Sequence, residues 1–274
     1  MKLRHYKASI FITAENKENF IANTIESCLN QTYKNIELIV AYTKLKNENF
    51  LKKKYNRKNV VFLKIKRKIQ NKTQDQLFKL KKCLNFSTGD FIFLLDGDDS
   101  IKKNKVKYIL NKYKYSSSLI LDNYYHFNNS LLVKNKIHKF KNNIIYKKIV
   151  NSWPKRVATS SISINRELLI NFFNQINFFN YKYLAIDILL TIYCQSKNKF
   201  IYSDKFLTIK KLDKNSVDLK FQGYKNKFFW FRRFEQHRYF KSLNKQTYLN
   251  IDYIFTNIIN GLFTFYFKIF SNFK

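Results

Sequence analysis

The chain has 274 residues, 52 Lys plus Arg against 18 Asp plus Glu, and a formal net charge of +34. That length is enough to bury a large α/β core, and the basic excess predicts attraction to phosphates, anionic lipid or nucleic acid, although abundant Lys, Asn, Ile, Phe and Tyr beside 4 Gly and 1 Pro is also what an AT-rich coding sequence produces. Cys28, Cys83 and Cys194 are odd in number and have no CxxC or Cys/His spacing, which argues against a disulfide framework or a zinc site.

The N-terminal MKLRHYKASIFIT runs into an apparent strand without an apolar signal core. With three unpaired thiols this predicts a reducing, cytoplasmic setting. From there apolar and amphipathic segments alternate: ASIFIT, ENFIANTIESCLNQ, IELIVAY, VVFLKI, QLFKLKKCL and FIFLL. Phe20, Ile21, Ile25, Cys28 and Leu29 recur at helical spacing, as do Leu77, Leu80, Cys83 and Leu84, so both stripes are expected to pack on a sheet. A β-α-β-α-β-α-β rhythm predicts the α/β class, with a Rossmann-like, mostly parallel sheet flanked by helices.

FIFLLDGDDS, Phe91 to Ser100, ends an apolar strand on three carboxylates, Asp96, Asp98 and Asp99. Open α/β sheets bind ligands just beyond their strands' carboxyl ends. Carboxylate oxygens there suit Mg²⁺ or Mn²⁺, ions that commonly bridge to phosphate oxygens. The bland alternative is a solvated acidic turn in which Gly97 supplies only turn geometry.

Next comes KKNKVKYILNKYKY, whose Val106, Ile109, Leu110 and Tyr113 mark one apolar face, with its lysines expected to be solvated. LILDNYYHF and SLLVKN read as strands around a turn at Asn128 and Asn129. After Trp153 and Pro154 come SSISI, a helix-like RELLINFF, an apolar helix LAIDILLTIY and the strand-like FIYSDKFLTIKKL. Asp122 and Asp204 each follow strand-like residues, and each either simply ends a strand or is a weaker competitor for a catalytic carboxylate. From Ile251 to Phe270 the residues Ile251, Ile254, Phe255, Ile258, Ile259, Leu262, Phe263 and Tyr266 repeat as i, i+3, i+4, i+7. That is an amphipathic helix, expected to lie in a membrane interface, dock on a partner or pack on the protein's own core.

Several ordered pieces resemble family 2 glycosyltransferases of the GT-A fold. SIFITAEN (9–16) looks like that family's first-strand signature, NQTYKNIELIV (30–40) like its helix-to-second-strand passage, NKTQDQLFKLKKCL (71–84) like its next helix, and STGDFIFLLDGDD (87–99) like the strand with its DxD motif. The resemblance is close from residue 8 to about 115 and looser to about 240. It implies a GT-A domain over 1–222, a helical extension over 223–274, and inverting transfer of a sugar from a nucleoside diphosphate to a glycan or lipid-linked acceptor in cell-surface polysaccharide synthesis; the basic surface and the C-terminal amphipathic segment add the expectation of a place at the inner face of the membrane.

Carried over residue by residue, the resemblance gives Asp96 to the donor sugar or ribose and Asp98 to the Mn²⁺ or Mg²⁺ ion, with Asp96 as a second metal ligand and Gly97 between them in the donor site. The general base falls on Asp187, whose apolar flanks also suggest a desolvated, more basic carboxylate; a structural Asp that caps or pairs is the alternative. Lys72, ahead of a helix start, would meet phosphate or base, or is simply surface. Trp153, Arg232, Arg233 and His237 are candidates for the acceptor or the diphosphate, since arginine donors match its oxygens in pairs; an ordinary amphipathic helix is the competing view of the last three.

The chain also departs from the family. Thr13 stands where it usually has Pro, Glu15 where it has an aromatic, and Tyr42 and Thr43 where it has two acids that help hold base and ribose. Either base recognition is rebuilt, with Tyr42 stacking and Glu15 hydrogen bonding, or donor binding is impaired and the protein is a scaffold. A basic single-strand nucleic-acid binder is the other rival. The three clustered carboxylates and the lack of a recognised binding motif argue against it, so no nucleic acid is expected.

Overall fold

The computed structural model describes residues 6–66, 69–113, 116–128, 131–138, 156–211, 221, 223–243 and 250–271. Its first half is the expected alternation: β1 (Ala8–Ala14), α1 (Ile21–Leu29), β2 (Ile36–Tyr42), α2 (Glu48–Lys54), β3 (Val60–Lys64), α3 (Lys72–Phe86) and β4 (Phe91–Asp96). All seven residues of β1 are buried. A strand covered on both faces loses polar alternation and reads as a continuous apolar run.

β5 (Ser100–Ile101), α4 (Lys105–Tyr113), β6 (Leu119–Asn128), β7 (Leu131–Asn135), β8 (Ile162–Asn165), α5 (Arg166–Gln175), α6 (Ile186–Ser196), β9 (Phe200–Lys211), α7 (Lys227–Leu243) and α8 (Ile251–Ser271) follow. The sheet order is β3-β2-β1-β4-β8-β6-β9-β5, with β7 on β6. β3, β2, β1 and β4 are mutually parallel. The second half is mixed: β8 runs antiparallel to β4 and β6, β6 and β9 are parallel, and β5 is antiparallel to β9.

One apolar layer contains Ile10, Ile12, Ile25, Cys28, Val40, Phe93 and Ile109, and the opposite one Phe11, Ile39, Leu77, Leu80, Leu94, Phe172 and Leu189. The helical stripes read from the sequence supply both. Lys105 corrects the expectation that the α4 lysines are solvated. Its side chain is fully buried, with the ammonium 2.7 Å from Asp122 Oδ1 and donating to Ser160 O and Thr208 Oγ1 at 2.7 Å each. Asp122 is therefore a buried ion-pair partner within β6, and Asp204 lies exposed within β9, so neither ends its strand.

Among the described residues no helix is long and apolar enough to cross a membrane. α8 packs on α7, but Ile251, Ile254, Phe255, Ile258, Leu262 and Phe265 are between 46 and 67 % exposed. These residues face outward while Ile259 and Phe263 of the same stripe are partly buried, so among the described residues packing on the protein's own core accounts for only part of it.

Candidate active site

The carboxyl ends of β1 and β4 lie side by side and open into a cleft of about 410 Å³. Gly97 makes the close approach possible. Its N–H donates to Thr13 O at 2.9 Å, and a Cβ there would lie 2.9 Å from Ala14 Cβ. The turn from Asp96 to Asp99 is thus pressed onto the end of β1.

The three carboxylates of this turn have different surroundings. Asp96 is partly open to the cleft and accepts from Gln76 Nε2 at 2.7 Å, while its backbone N–H donates to Ser160 Oγ. Asp98, also partly open, takes the Lys17 ammonium at 2.5 Å. Asp99 is buried, accepting from Ser160 Oγ at 2.6 Å and from the Lys211 N–H at 2.9 Å. Both of its oxygens are engaged in holding the turn to β9 and to the short 3₁₀ segment Thr159–Ser161.

Burial, then the charges of Asp99 and Asp98, raises the Asp96 pKa well above the usual carboxylate range. Burial and Asp98 push Asp99 to about 6. Crowded carboxylates of this kind favour protons or a cation. Among the described residues no group of three or more His, Cys, Asp or Glu side chains could by itself hold a metal ion. Asp98, with Asp96 beside it, could supply two carboxylates to a site of the kind in which Mg²⁺-type ions are held by one or two carboxylates and substrate phosphate.

Asp187 reaches the same cleft from the other half of the chain. It lies in the first turn of α6, where Ile186, Leu189 and Leu190 bury the helix and leave Asp187 half-exposed. The apolar flanks therefore belong to the helix's other faces and do not enclose the carboxylate. Its charge contributes to the raised pKa of Asp96. Asn71, which caps α3 by accepting from the N–H groups of Thr73 and Gln74, donates to Lys182 O at 2.8 Å. From behind, Glu235 of α7 accepts from the N–H groups of Lys182 and Tyr183 at 3.0 and 2.7 Å. The approach to α6 is fixed on both sides.

Thr13, Glu15, Lys72, Asp96, Gly97, Asp98, Asp187 and Arg232 all line the cleft. Tyr42 does not. It shares the β2 face of Leu38 and Val40, and strand alternation carries it into the core, fully buried. Arg233 and His237 also face elsewhere: one helical turn apart on α7, they both meet Asp252 of α8. Arg232, its chain neighbour, is rotated about 100° away, donates from Nε to Tyr183 O and lies 3.4 Å from the Phe221 ring centroid. Trp153 falls outside the described residues. Lys17, Asp75, Gln76, Lys79, Thr159, Lys210 and Lys211 also line the cleft, and sequence reasoning did not single them out.

The family model described as Glycosyl transferase family 2 matches residues 9–173. Putative glycosyltransferase EpsE of Bacillus subtilis is 38% identical over 95 residues, which are 34% of this chain and 33% of that protein. Glycosyltransferase GlyA of Streptococcus pneumoniae is 27% identical over 128 residues, 45% of this chain and 18% of GlyA. The chain thus spans at most about a third of the length of these relatives. Among solved structures, S. aureus TarS 1–349 in complex with UDP-GlcNAc superposes with a TM-score of 0.61 at 16% identity, over 94% of this chain and 71% of that one. The mannosyltransferase PcManGT from Pyrobaculum calidifontis, in complex with GDP-Man and Mn²⁺, gives 0.55 at 9% identity, over 89% and 65%. The shared architecture is the GT-A fold.

Proposed function

Because the chain belongs to glycosyl transferase family 2, we propose that its cleft binds a nucleoside diphosphate sugar and transfers the sugar, with inversion, to a hydroxyl of a glycan or lipid-linked acceptor. The observation that carries this reading is Asp187 facing the Asp96 to Asp98 turn across one cleft, although 89 residues separate Asp187 from Asp98 in the chain. The donors held by TarS and PcManGT support a nucleotide sugar as the substrate class.

In this mechanism the acceptor oxygen attacks the anomeric carbon as the bond from that carbon to the β-phosphate oxygen breaks. Asp187 takes the acceptor's proton, and the nucleoside diphosphate leaves with the bonding electrons. Asp98 and Asp96 would hold a Mn²⁺ or Mg²⁺ ion, whose chemistry is to neutralise charge growing on the diphosphate. Lys72, Lys210, Lys211 and Arg232 line the same space and add fixed positive charge. Residues 1–222 serve as the catalytic domain, and the 223–274 extension completes it through Arg232.

The exposed stripe of α8 supports attachment at the inner face of a membrane, where a lipid-linked acceptor of cell-surface polysaccharide synthesis is available. Apolar side chains enter the headgroup region while a net charge of +34 attracts anionic lipid.

The test is a pair of variants. Asp187→Asn is expected to abolish sugar transfer while donor binding persists. Asp98→Ala is expected to remove Mn²⁺-dependent protection by UDP-GlcNAc or GDP-mannose against thermal unfolding. Transfer at the wild-type rate in both would sink the assignment.

A further inference from the structure

The family resemblance places two acids near the end of β2 that help hold the base and ribose, and this chain has Tyr42 and Thr43 there. The structure removes Tyr42 from the site, and no β2 residue lines the cleft. α3 instead contributes Lys72, Thr73, Asp75, Gln76 and Lys79.

Asp75 is the unusual member. It is 4 % exposed, and one oxygen, Oδ2, receives the Lys79 ammonium at 2.5 Å. The other, Oδ1, has no hydrogen-bond partner. A buried carboxylate oxygen without a donor is costly, and a ligand in the cleft is the available source of one. Lys79, 2 % exposed, gives one N–H to Asp75 and another, at 3.5 Å, to Ala14 O. Its third N–H meets no acceptor among the described residues.

We propose that Asp75 and Lys79 form the base-reading subsite of the donor cleft, with Asp75 Oδ1 accepting the imide N–H of a uracil-type base and Lys79 donating to an adjacent ring carbonyl. This rests on the nucleotide-sugar reading above and adds the class of base. The ribose is left to Asp96, the role the family resemblance gives it. With Lys79 already on Oδ2, Oδ1 is the carboxylate oxygen left without a donor, so the pair is set to receive one N–H there. An imide N–H is satisfied by one acceptor, whereas the two neighbouring donors of guanine would leave one unpaired, a mismatch that sites built on hydrogen bonding reject strongly. Thymine nucleotides fall in the same class as uracil.

The experiment is calorimetric titration of the full chain, with Mn²⁺ present, using UDP, N3-methyl-UDP, 2′-deoxy-UDP and GDP. The wild type is expected to bind UDP about 10- to 100-fold more tightly than N3-methyl-UDP, the range for a hydrogen bond to a charged group, and more tightly than GDP. Asp75→Asn, and Asp75→Leu combined with Lys79→Met to replace the pair by apolar groups, should bind UDP and N3-methyl-UDP alike. Equal wild-type binding of those two, or tighter binding of GDP, overturns the subsite while leaving the donor reading standing. So does a preference for UDP over 2′-deoxy-UDP that is lost in the variants, since it would move the hydrogen bond to the ribose. A wild type that binds none of the four overturns the donor reading, and the subsite with it.

Discussion

The Lys17 ammonium lies 2.5 Å from Asp98 Oδ2, so the carboxylate proposed to grip a divalent ion already carries a positive charge from its own chain. The pair is partly exposed, 26 and 12 % for the two side chains, where such contacts are worth little. A doubly charged ion can therefore displace the ammonium, at a modest cost in its own affinity. Lys17→Met should tighten Mn²⁺ binding by up to about fivefold, the ceiling set by a partly exposed pair. Titration followed by the free-Mn²⁺ paramagnetic resonance signal reads this directly, and weaker binding in the variant would mean that Lys17 assists the ion.

Acid should loosen α7 from α8. Burial holds the His237 pKa below its ordinary value against the opposing charge of Asp252. The Asp252 carboxyl is itself held low: burial opposes its ionisation, but His237 and Arg233 outweigh burial. A histidine with a depressed folded-state pKa is protonated more readily in the unfolded chain, so stability is fully present above about pH 6.5 and falls as pH drops below it. The Asp252 contribution is lost only at lower pH, below about 3.8. The slope from His237 is at most about 1.4 kcal/mol per pH unit. Thermal melts at pH 7.5, 6.0 and 5.0, followed by tryptophan fluorescence, report the change through Trp230, whose ring meets Phe255 of α8 at 5.7 Å. His237→Gln should remove the loss that His237 causes between pH 6.5 and 5, leaving the opposite trend of Asp99, which burial raises to about 6.

The parallel core was legible because strands buried on both faces become apolar runs, and the helices covering them carry one apolar stripe each. The acidic turn was legible for the complementary reason: in a chain with 18 acids, three within four residues at a strand end are conspicuous. Basic groups gave no such contrast. Lys17, Lys79, Lys105, Lys210 and Lys211 look like any of 52 Lys and Arg, although Lys79 and Lys105 are buried. Asp75 and Lys79 resemble an ordinary i, i+4 surface pair, and only the folding of α3 against β1 shows that they are enclosed. Tyr42 could have been placed by parity with Leu38 and Val40. The split between Arg232 and Arg233 needed the position of α8, which periodicity does not supply.

Lys105 and Asp122 should behave as a unit. Removing only the cation strands a fully buried carboxylate, and breaking such a pair typically costs about 3–5 kcal/mol. The same ammonium donates to the carbonyl of Ser160, whose hydroxyl donates to Asp99, so the damage should extend to the acidic turn. Lys105→Met is expected to lower the unfolding free energy by an amount in that range and to weaken Mn²⁺-dependent nucleotide binding. Lys105→Met combined with Asp122→Leu should recover part of the stability, because apolar replacements of a buried pair are often tolerated. Denaturant unfolding of the two variants and the wild type compares them, and a single variant as stable as the wild type would refute the coupling.

Gly97→Ala isolates the geometry of the turn from its charge. The added methyl would lie 2.9 Å from Ala14 Cβ and 3.1 Å from Thr13 O, inside ordinary contact distances, so either the turn or the end of β1 must shift. Strain of this kind in a packed site costs about 1–3 kcal/mol. Because Gly97 donates to Thr13 O, the shift acts where Thr13 and Asp96 share the cleft floor. Every carboxylate and lysine of the site remains in the variant. If placement of the turn governs donor binding, Gly97→Ala should weaken nucleotide binding about tenfold or more while the protein stays folded by circular dichroism. Binding at the wild-type level would show instead that the site tolerates movement of the turn, and that its charge alone recruits the donor.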